Sequence, residues 1–253
     1  MSDLPKMEEL LEAGVHFGHQ TGRWHPKAGP YIFGVRNNVH IIDLEATLKE
    51  LEKAMDFARK TVASGGVVLF LGTKKQVRDI IKKHAIECEM PYLTERWLGG
   101  MLTNFGEVLT LLRKFKDLQR RQEKGEFKKY TKKEQLVFAR EIEKLRTRIG
   151  GIQDLTKIPD AIYIVDLKYE KTARTEAETR GVKIIAPCDT NINPTGIDYP
   201  IPANDDAVKS IDLITGMIAK ACKEGKAEAA KNPLPTPKPK NDYRKAGSQK
   251  DKK

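Results

Sequence analysis

Val67-Val68-Leu69-Phe70-Leu71 is a continuous apolar run, rich in β-branched and aromatic side chains and with no polar alternation. A strand with one wet face alternates polar and apolar residues, so a run of this kind has to be buried on both faces. Ala161-Ile162-Tyr163-Ile164-Val165 and Val182-Lys183-Ile184-Ile185-Ala186 read the same way, the latter ending at Pro187. Helical stripes lie between them. Asp43 is placed to cap a helix with Leu44, Leu48, Leu51, Met55 and Ala58 on one face, stopped by Gly65-Gly66. After the first run, Thr73 and Gln76 have capping-box spacing ahead of Val77, Ile80 and Ile81. Buried strands separated by helices require parallel pairing through right-handed crossovers. The expected body is therefore α/β: a three-layer α/β/α sandwich around a parallel sheet.

One segment breaks this rhythm. Val108, Leu111, Leu112, Phe115 and Leu118 recur at helical spacing, as do Phe138, Ile142, Leu145 and Ile149. Gln122-Glu123-Lys124-Gly125-Glu126-Phe127 supplies a turn, Thr131-Lys132-Lys133-Glu134 a capping box, and Gly150-Gly151 a stop. Each helix has a narrow apolar stripe, so the two are expected to pair as an antiparallel coiled-coil hairpin, residues 106–150, inserted into a body spanning 1–225. Residues 226–253, Ala-rich and then Pro/Lys-rich, form a basic tail that cannot build a core and is expected to be disordered when free.

The net charge of +11 is concentrated in these appendages. Residues 113–148 hold 14 basic and 6 acidic side chains, and 223–253 hold 10 and 4, which leaves the body slightly acidic. A near-neutral body with two cationic arms suits a polyanion, and nucleic acid is the expected one. No apolar run approaches the roughly 20 residues of a membrane span, so no membrane contact is expected. The N-terminus lacks a basic stretch followed by an apolar one, and Cys88, Cys188 and Cys222 form no C-x-x-C pair. Both features point to the cytoplasm, with the cysteines as ordinary core residues.

Enzyme signatures are missing. There is no G-x-G-x-x-G, no G-x-S-x-G and no H-E-x-x-H, and Gly72-Thr73-Lys74 does not meet phosphate-loop spacing. Asp43, Asp166 and Asp189 fall near strand ends, where their plain role is to cap helices and form turns. The expectation is a protein without catalytic residues or a small-molecule substrate; the alternative is a doubly wound enzyme acting on a phosphorylated ligand.

Several unusual stretches follow one another in order: Val15-His16-Phe17-Gly18-His19; His40-Ile41-Ile42-Asp43-Leu44; Phe70-Leu71-Gly72-Thr73-Lys74; Arg96-Trp97-Leu98-Gly99-Gly100-Met101-Leu102-Thr103-Asn104-Phe105; Pro159 to Asp166; and Asp189-Thr190-Asn191 through Asn204-Asp205-Asp206. Together they resemble the family of ribosomal small-subunit protein two, in its bacterial form, over about residues 7 to 225. The basic hairpin is similar to the coiled-coil insertion of bacterial members. His25 before Pro26 and Ala28 are mild departures, where the family more often shows Asn and Met.

The resemblance implies a flavodoxin-like fold and a structural role in the small ribosomal subunit. Its partners would be small-subunit ribosomal RNA and neighbouring ribosomal proteins, including protein one of that subunit. Together with the charge excess, it nominates Arg23, Lys27, Arg36, Lys74, Lys75, Arg96, Asn104, Arg113, Lys114, Arg120 and Arg121 as RNA contacts. Trp97 and Phe105 are expected to anchor their loop rather than to stack on bases. No cofactor is required, but the family's motif loops would bring Asp189 and Asp205 toward His16 and His19, a His₂Asp₂ set that suits zinc. The competing reading leaves both histidines hydrogen-bonded to carbonyls or to RNA. His25, His40 and His84 are expected at the surface or as caps.

Overall fold

The structure, a computed structural model, describes residues 4–231. Seven α-helices are present among them: α1 (Met7–Glu12), α2 (Leu44–Ala63), α3 (Arg78–Glu87), α4 (Phe105–Glu123), α5 (Lys132–Ile149), α6 (Lys171–Arg180) and α7 (Val208–Lys231). The strands are β1 (Phe17–Gln20), β2 (Ile32–Arg36), β3 (Val39–Ile42), β4 (Val68–Leu71), β5 (Tyr92–Leu93), β6 (Ala161–Ile164), β7 (Lys183–Cys188) and β8 (Tyr199–Pro202). The last five form a wholly parallel sheet in the order β5-β4-β6-β7-β8. The strand order reverses between β4 and β6, and in sheets of this kind the loops at the carboxyl ends beside such a point form a crevice.

The apolar runs are buried on both sides, as their lack of alternation requires. Val68, Phe70, Ala161, Tyr163, Val165 and Ile185 enter one cluster with Leu51, Met55, Ile81, Ile214 and Ile218 of α2, α3 and α7. Leu69, Leu71, Ile162, Ile164, Ile184 and Ala186 enter a second with side chains of α4, α5 and α6. That second cluster is continuous from the sheet into the helical pair. Phe105, Val108, Leu112, Phe115 and Leu118 of α4 are buried in it, with Ile142 and Ile149 of α5. The return helix starts at the expected capping box: Thr131 Oγ1 accepts from Glu134 N at 3.4 Å, and Thr131 N donates to Glu134 Oε2 at 2.9 Å.

Asp43 caps α2, its Oδ1 accepting from Glu45 N at 2.9 Å. The capping box expected at Thr73 is not formed: α3 begins at Arg78 behind Val77, and the Thr73 hydroxyl donates to the buried Glu170 carboxylate instead. Strand β7 runs through Pro187 to Cys188, past its last pairing with β6 at Tyr163↔Ile185, where only β8 lies beside it. Strand β8, with Pro200 and Pro202, forms one edge of the sheet; an edge strand tolerates prolines that a central one does not.

A further antiparallel sheet, β1-β3-β2, precedes the parallel one. Its β2–β3 hairpin turns on Asn37 and Asn38, both left-handed with φ of 50° and 63°, the conformation a two-residue hairpin turn demands. Helix α7 does not stop at Gly225. It continues to Lys231, because Ala, Glu and Lys favour helix and Gly225 serves as a close-contact residue rather than a terminator. The expected tail therefore loses its first six residues to α7, and its remainder, 232–253, lies outside the described residues. All three cysteines are buried and unbridged.

Candidate nucleic-acid interface and metal-ligating cluster

The loop 96–104 is held from below by one carboxylate. Glu176 lies on the buried face of α6 with Ala173 and Ala177. It accepts from Trp97 Nε1 at 3.0 Å, Gly100 N at 2.8 Å, Leu102 N at 3.0 Å, Thr103 N at 3.3 Å and Thr103 Oγ1 at 3.2 Å. Burial alone would raise the carboxyl pKa, but these donors outweigh it and hold Glu176 below its usual value. One turn on, Arg180 donates from Nε to Leu102 O at 2.9 Å and from NH2 to Thr103 O at 3.1 Å. Trp97 and Phe105 are buried anchors, as expected, while Arg96 and Asn104 remain exposed.

A polar cluster forms at the carboxyl ends of the parallel strands. Strand β1 crosses them, and its approach depends on Gly18, where a Cβ would stand 2.7 Å from Thr190 Cγ2. His19 is placed by this crossing, its backbone N donating to Thr190 Oγ1 at 2.9 Å. His19 Nδ1 meets Asp189 Oδ2 at 2.9 Å, and Nε2 faces Asp206 Oδ2 at 3.4 Å. The hydrogen bond to Asp189 is the main influence raising the imidazole pKa. Asp205, only 3% exposed, is pushed up to about 8 by burial first and then by Asp189, Asp166 and Asp206. Lys74 is drawn in, 2.5 Å from Asp206 Oδ1 and 3.5 Å from Asp166 Oδ2.

Ligating atoms of His19, Asp205 and Asp206 lie within 4.8 Å of one another. Of the four expected ligands, the structure thus brings His19 and Asp205 together, seats Asp189 behind the imidazole, and leaves His16 outside. The His16 ring packs on Phe17 at 4.0 Å between centroids, and its buried Nδ1 has no partner. Asp206 is the member the sequence reading passed over. His25 is a cap, its Nδ1 accepting from Lys27 N at 3.2 Å. His40 and His84, expected outside, are buried; His84 bridges Glu87 at 3.2 Å and Asp212 at 2.6 Å, tying α3 to α7.

The nominated cations divide into free and engaged. Arg23, Lys27 and Arg36 are exposed around the antiparallel sheet, beside Trp24 and an 81% exposed Phe33. Lys75 and Arg113 are also exposed, and neither makes an ion pair among the described residues. Lys74 is spent on the acid cluster. Lys114 pairs with Glu141 at 2.6 Å, Arg120 with Asp117 at 2.6 Å, and Arg121 with Glu126 at 3.4 Å while lying over the Phe127 ring. The free charge sits instead on α5, where Lys133, Arg140, Lys144 and Arg148 are exposed without ion pairs among the described residues. Their spacing of seven, four and four places them on one helical face, a signal present in the sequence but hidden by the total charge count.

Residues 10–225 match the sequence model of the family described as ribosomal protein S2. The chain belongs to that family. The ribosomal protein S2 match spans both sheets, the α4–α5 pair and the polar cluster, so every site described above lies within it. Membership gives the chain the role of a small-subunit ribosomal protein, a structural and non-enzymatic kind of molecule. No helix among the described residues is long and apolar enough to cross a membrane.

Proposed function

We propose that the protein grips small-subunit ribosomal RNA mainly through phosphates, works in the cytoplasm, and helps seat neighbouring ribosomal proteins, protein one of that subunit among them. The observation that carries this is the unpaired α5 stripe Lys133–Arg140–Lys144–Arg148. It spans about 22 Å of helix at 1.5 Å per residue, enough to meet several phosphates. Arg96, Asn104 and the exposed cations around the antiparallel sheet are the further contacts of this reading. The fold reading that accompanies it is flavodoxin-like, with the α4–α5 pair as an inserted coiled coil. It is supported by the 2-1-3-4-5 order of the parallel strands, counted along the chain, and by the two clusters flanking the sheet.

Each neutralised phosphate contributes about 0.7–0.9 to the log–log salt slope of binding. Replacing the four stripe residues by alanine is therefore expected to lower that slope by about 3, measured by filter binding of the full chain to small-subunit RNA. Affinity of the unaltered chain that does not change between low and physiological salt would overturn the phosphate mechanism.

The polar cluster fits a divalent cation. His19 Nε2, Asp205 and Asp206 supply one nitrogen and two carboxylates, and Asp189 orients the imidazole from its other nitrogen. Asp205 is buried with no hydrogen-bond donor of its own among the described residues, so a cation there would compensate a group that the protein does not. A bound zinc would neutralise charge in this crowded group and tie β1 to the loops after β7 and β8. Elemental analysis after dialysis should find about one zinc per chain, lost in His19→Ala; absence of metal from the unaltered protein ends this reading.

A further inference from the structure

A cavity of about 370 Å³ opens beside the first turn of α6, at the carboxyl ends of β6 and β7. Lys168, Lys171 and Arg174 line it, with Thr175, Asn191 and Asn193. Its lining includes no carboxylate, whereas the two larger cavities at the root of the α4–α5 pair contain Asp and Glu side chains. Glu178 answers Arg174 from outside this lining, but Lys168 and Lys171 stand at the concavity with no ion pair among the described residues, and an anion there would relieve their repulsion.

The three are also prepared differently. Arg174 is fixed: Nε donates to Glu178 at 2.8 Å, NH1 to Asn193 O at 3.3 Å and NH2 to Thr195 O at 2.7 Å. A guanidinium has five N–H donors, so two remain free on a group whose position is already set. Lys168 and Lys171 are exposed and make no ion pair among the described residues. The Asn191 side-chain amide makes no hydrogen bond among the described residues, and its Oδ1 is buried without a partner there. An amide with no hydrogen bond to lose can turn its NH₂ toward a ligand. Helix α6 has no acid in its first turn, and Glu170 at its N-cap turns its carboxyl onto Thr73 rather than capping the helix, so the open N–H groups of the first turn add to the same field.

From this convergence we infer a phosphate-binding pocket formed by Lys168, Lys171, Arg174 and Asn191, whose occupant is a backbone phosphate of the bound RNA. The inference rests on the RNA reading above and adds a contact on the sheet body that the charge runs did not disclose. The pocket lies on the loops after β6 and β7, which also carry Asp166 and Asp189 of the acidic cluster.

The test compares the full chain with Lys168→Ala/Lys171→Ala and with Lys171→Glu. The double variant should lower the salt slope for small-subunit RNA by about 1.5. Lys171→Glu puts an acid at a helix N-terminus, which favours the helix, so it should leave the thermal midpoint unchanged or raised while RNA binding weakens. Unchanged slope and affinity in both variants, with the unaltered chain binding RNA normally, overturns the pocket. A separate titration with inorganic phosphate, followed by amide resonances of Lys171, Thr175 and Asn191, distinguishes the two readings. If the unaltered chain binds no RNA, the RNA reading fails; phosphate-dependent shifts lost in the double variant would then make this a site for a small phosphorylated ligand and overturn the RNA occupant.

Discussion

Glu176 joins two stretches that meet only in the folded chain, since its donors come from residues 97–103, more than seventy positions upstream. With a carboxylate present, four backbone or side-chain N–H groups and one hydroxyl are satisfied in a buried setting. Glu176→Gln keeps the shape but removes the charge and turns one acceptor into a donor facing N–H groups. Loss of charge-assisted hydrogen bonds of this kind costs about 2–4 kcal/mol, so urea unfolding should show a midpoint shift of that size without a change in slope. The pH dependence has a definite sign. The folded pKa lies below the unfolded one, so the stabilisation is full above the ordinary Glu value of 4.5 and is lost as pH falls through the folded value. In Glu176→Gln this acid-side loss should be smaller than in the unaltered protein; equal losses would show that the carboxylate does not hold the loop.

Helix α7 shows at the level of an element why local signals mislead. Gly225 ends an apolar stretch and precedes a shift in composition, which reads as a helix stop. In the fold it lets α7 pass over α2: a Cβ there would lie 2.3 Å from Arg59 O, a backbone atom that cannot swing aside. Alanine gains about 1 kcal/mol of helix propensity at a mid-helix position, while forcing backbones apart costs roughly 1–3 kcal/mol. The steric term should win, and Gly225→Ala should lower the thermal midpoint; a raised midpoint would mean that the helices separate freely. The same contrast decides what the sequence made legible. Strands β4, β6 and β7 were visible because burial on both faces writes an unbroken apolar run. Strand β8 was hidden by Pro200 and Pro202, and in β1 to β3 the apolar residues form no unbroken run, being interrupted by Gly18, Gly34 and His40. At the site, His19 and Asp205 were legible, but which of two adjacent acids faces the imidazole depends on how β1 crosses the strand ends. Glu176 left one trace: an acid at the helical spacing of Ala173 and Ala177, inside an otherwise buried stripe.

Across the whole molecule, the charge map describes a near-neutral body with cationic arms, and that picture suggests that the helical arm is a detachable part. The packing divides it differently. The proximal half of the α4–α5 pair shares a core with the sheet: Phe105, Val108, Leu112, Ile149 and Ile152 pack in one cluster with Leu69, Leu93 and Ile162. Gly151 sits so close to β5 that a Cβ would stand 2.3 Å from Tyr92 O, which locks the return to the body. The distal half forms the far end of that same cluster, with Phe127 stacked on Phe138 at 4.6 Å and Tyr130 beside them, out of reach of the sheet's own strands. Two excisions should therefore behave in opposite ways. Replacing 119–138 with a short turn removes only that distal aromatic group and should leave cooperative unfolding of the body intact, with a modest loss of midpoint. Removing 105–152 strips a whole side of one core, where each large side chain lost costs about 2–5 kcal/mol, more in total than a domain's usual 5–15 kcal/mol of stability. That protein should not fold. Cooperative melting of the 105–152 deletion, read by calorimetry, would show that the arm is an accessory to the sheet. The expected failure would show that the α5 stripe is aimed by a helix rooted in the core, so that the RNA contact proposed for it would be coupled to body stability through the same residues.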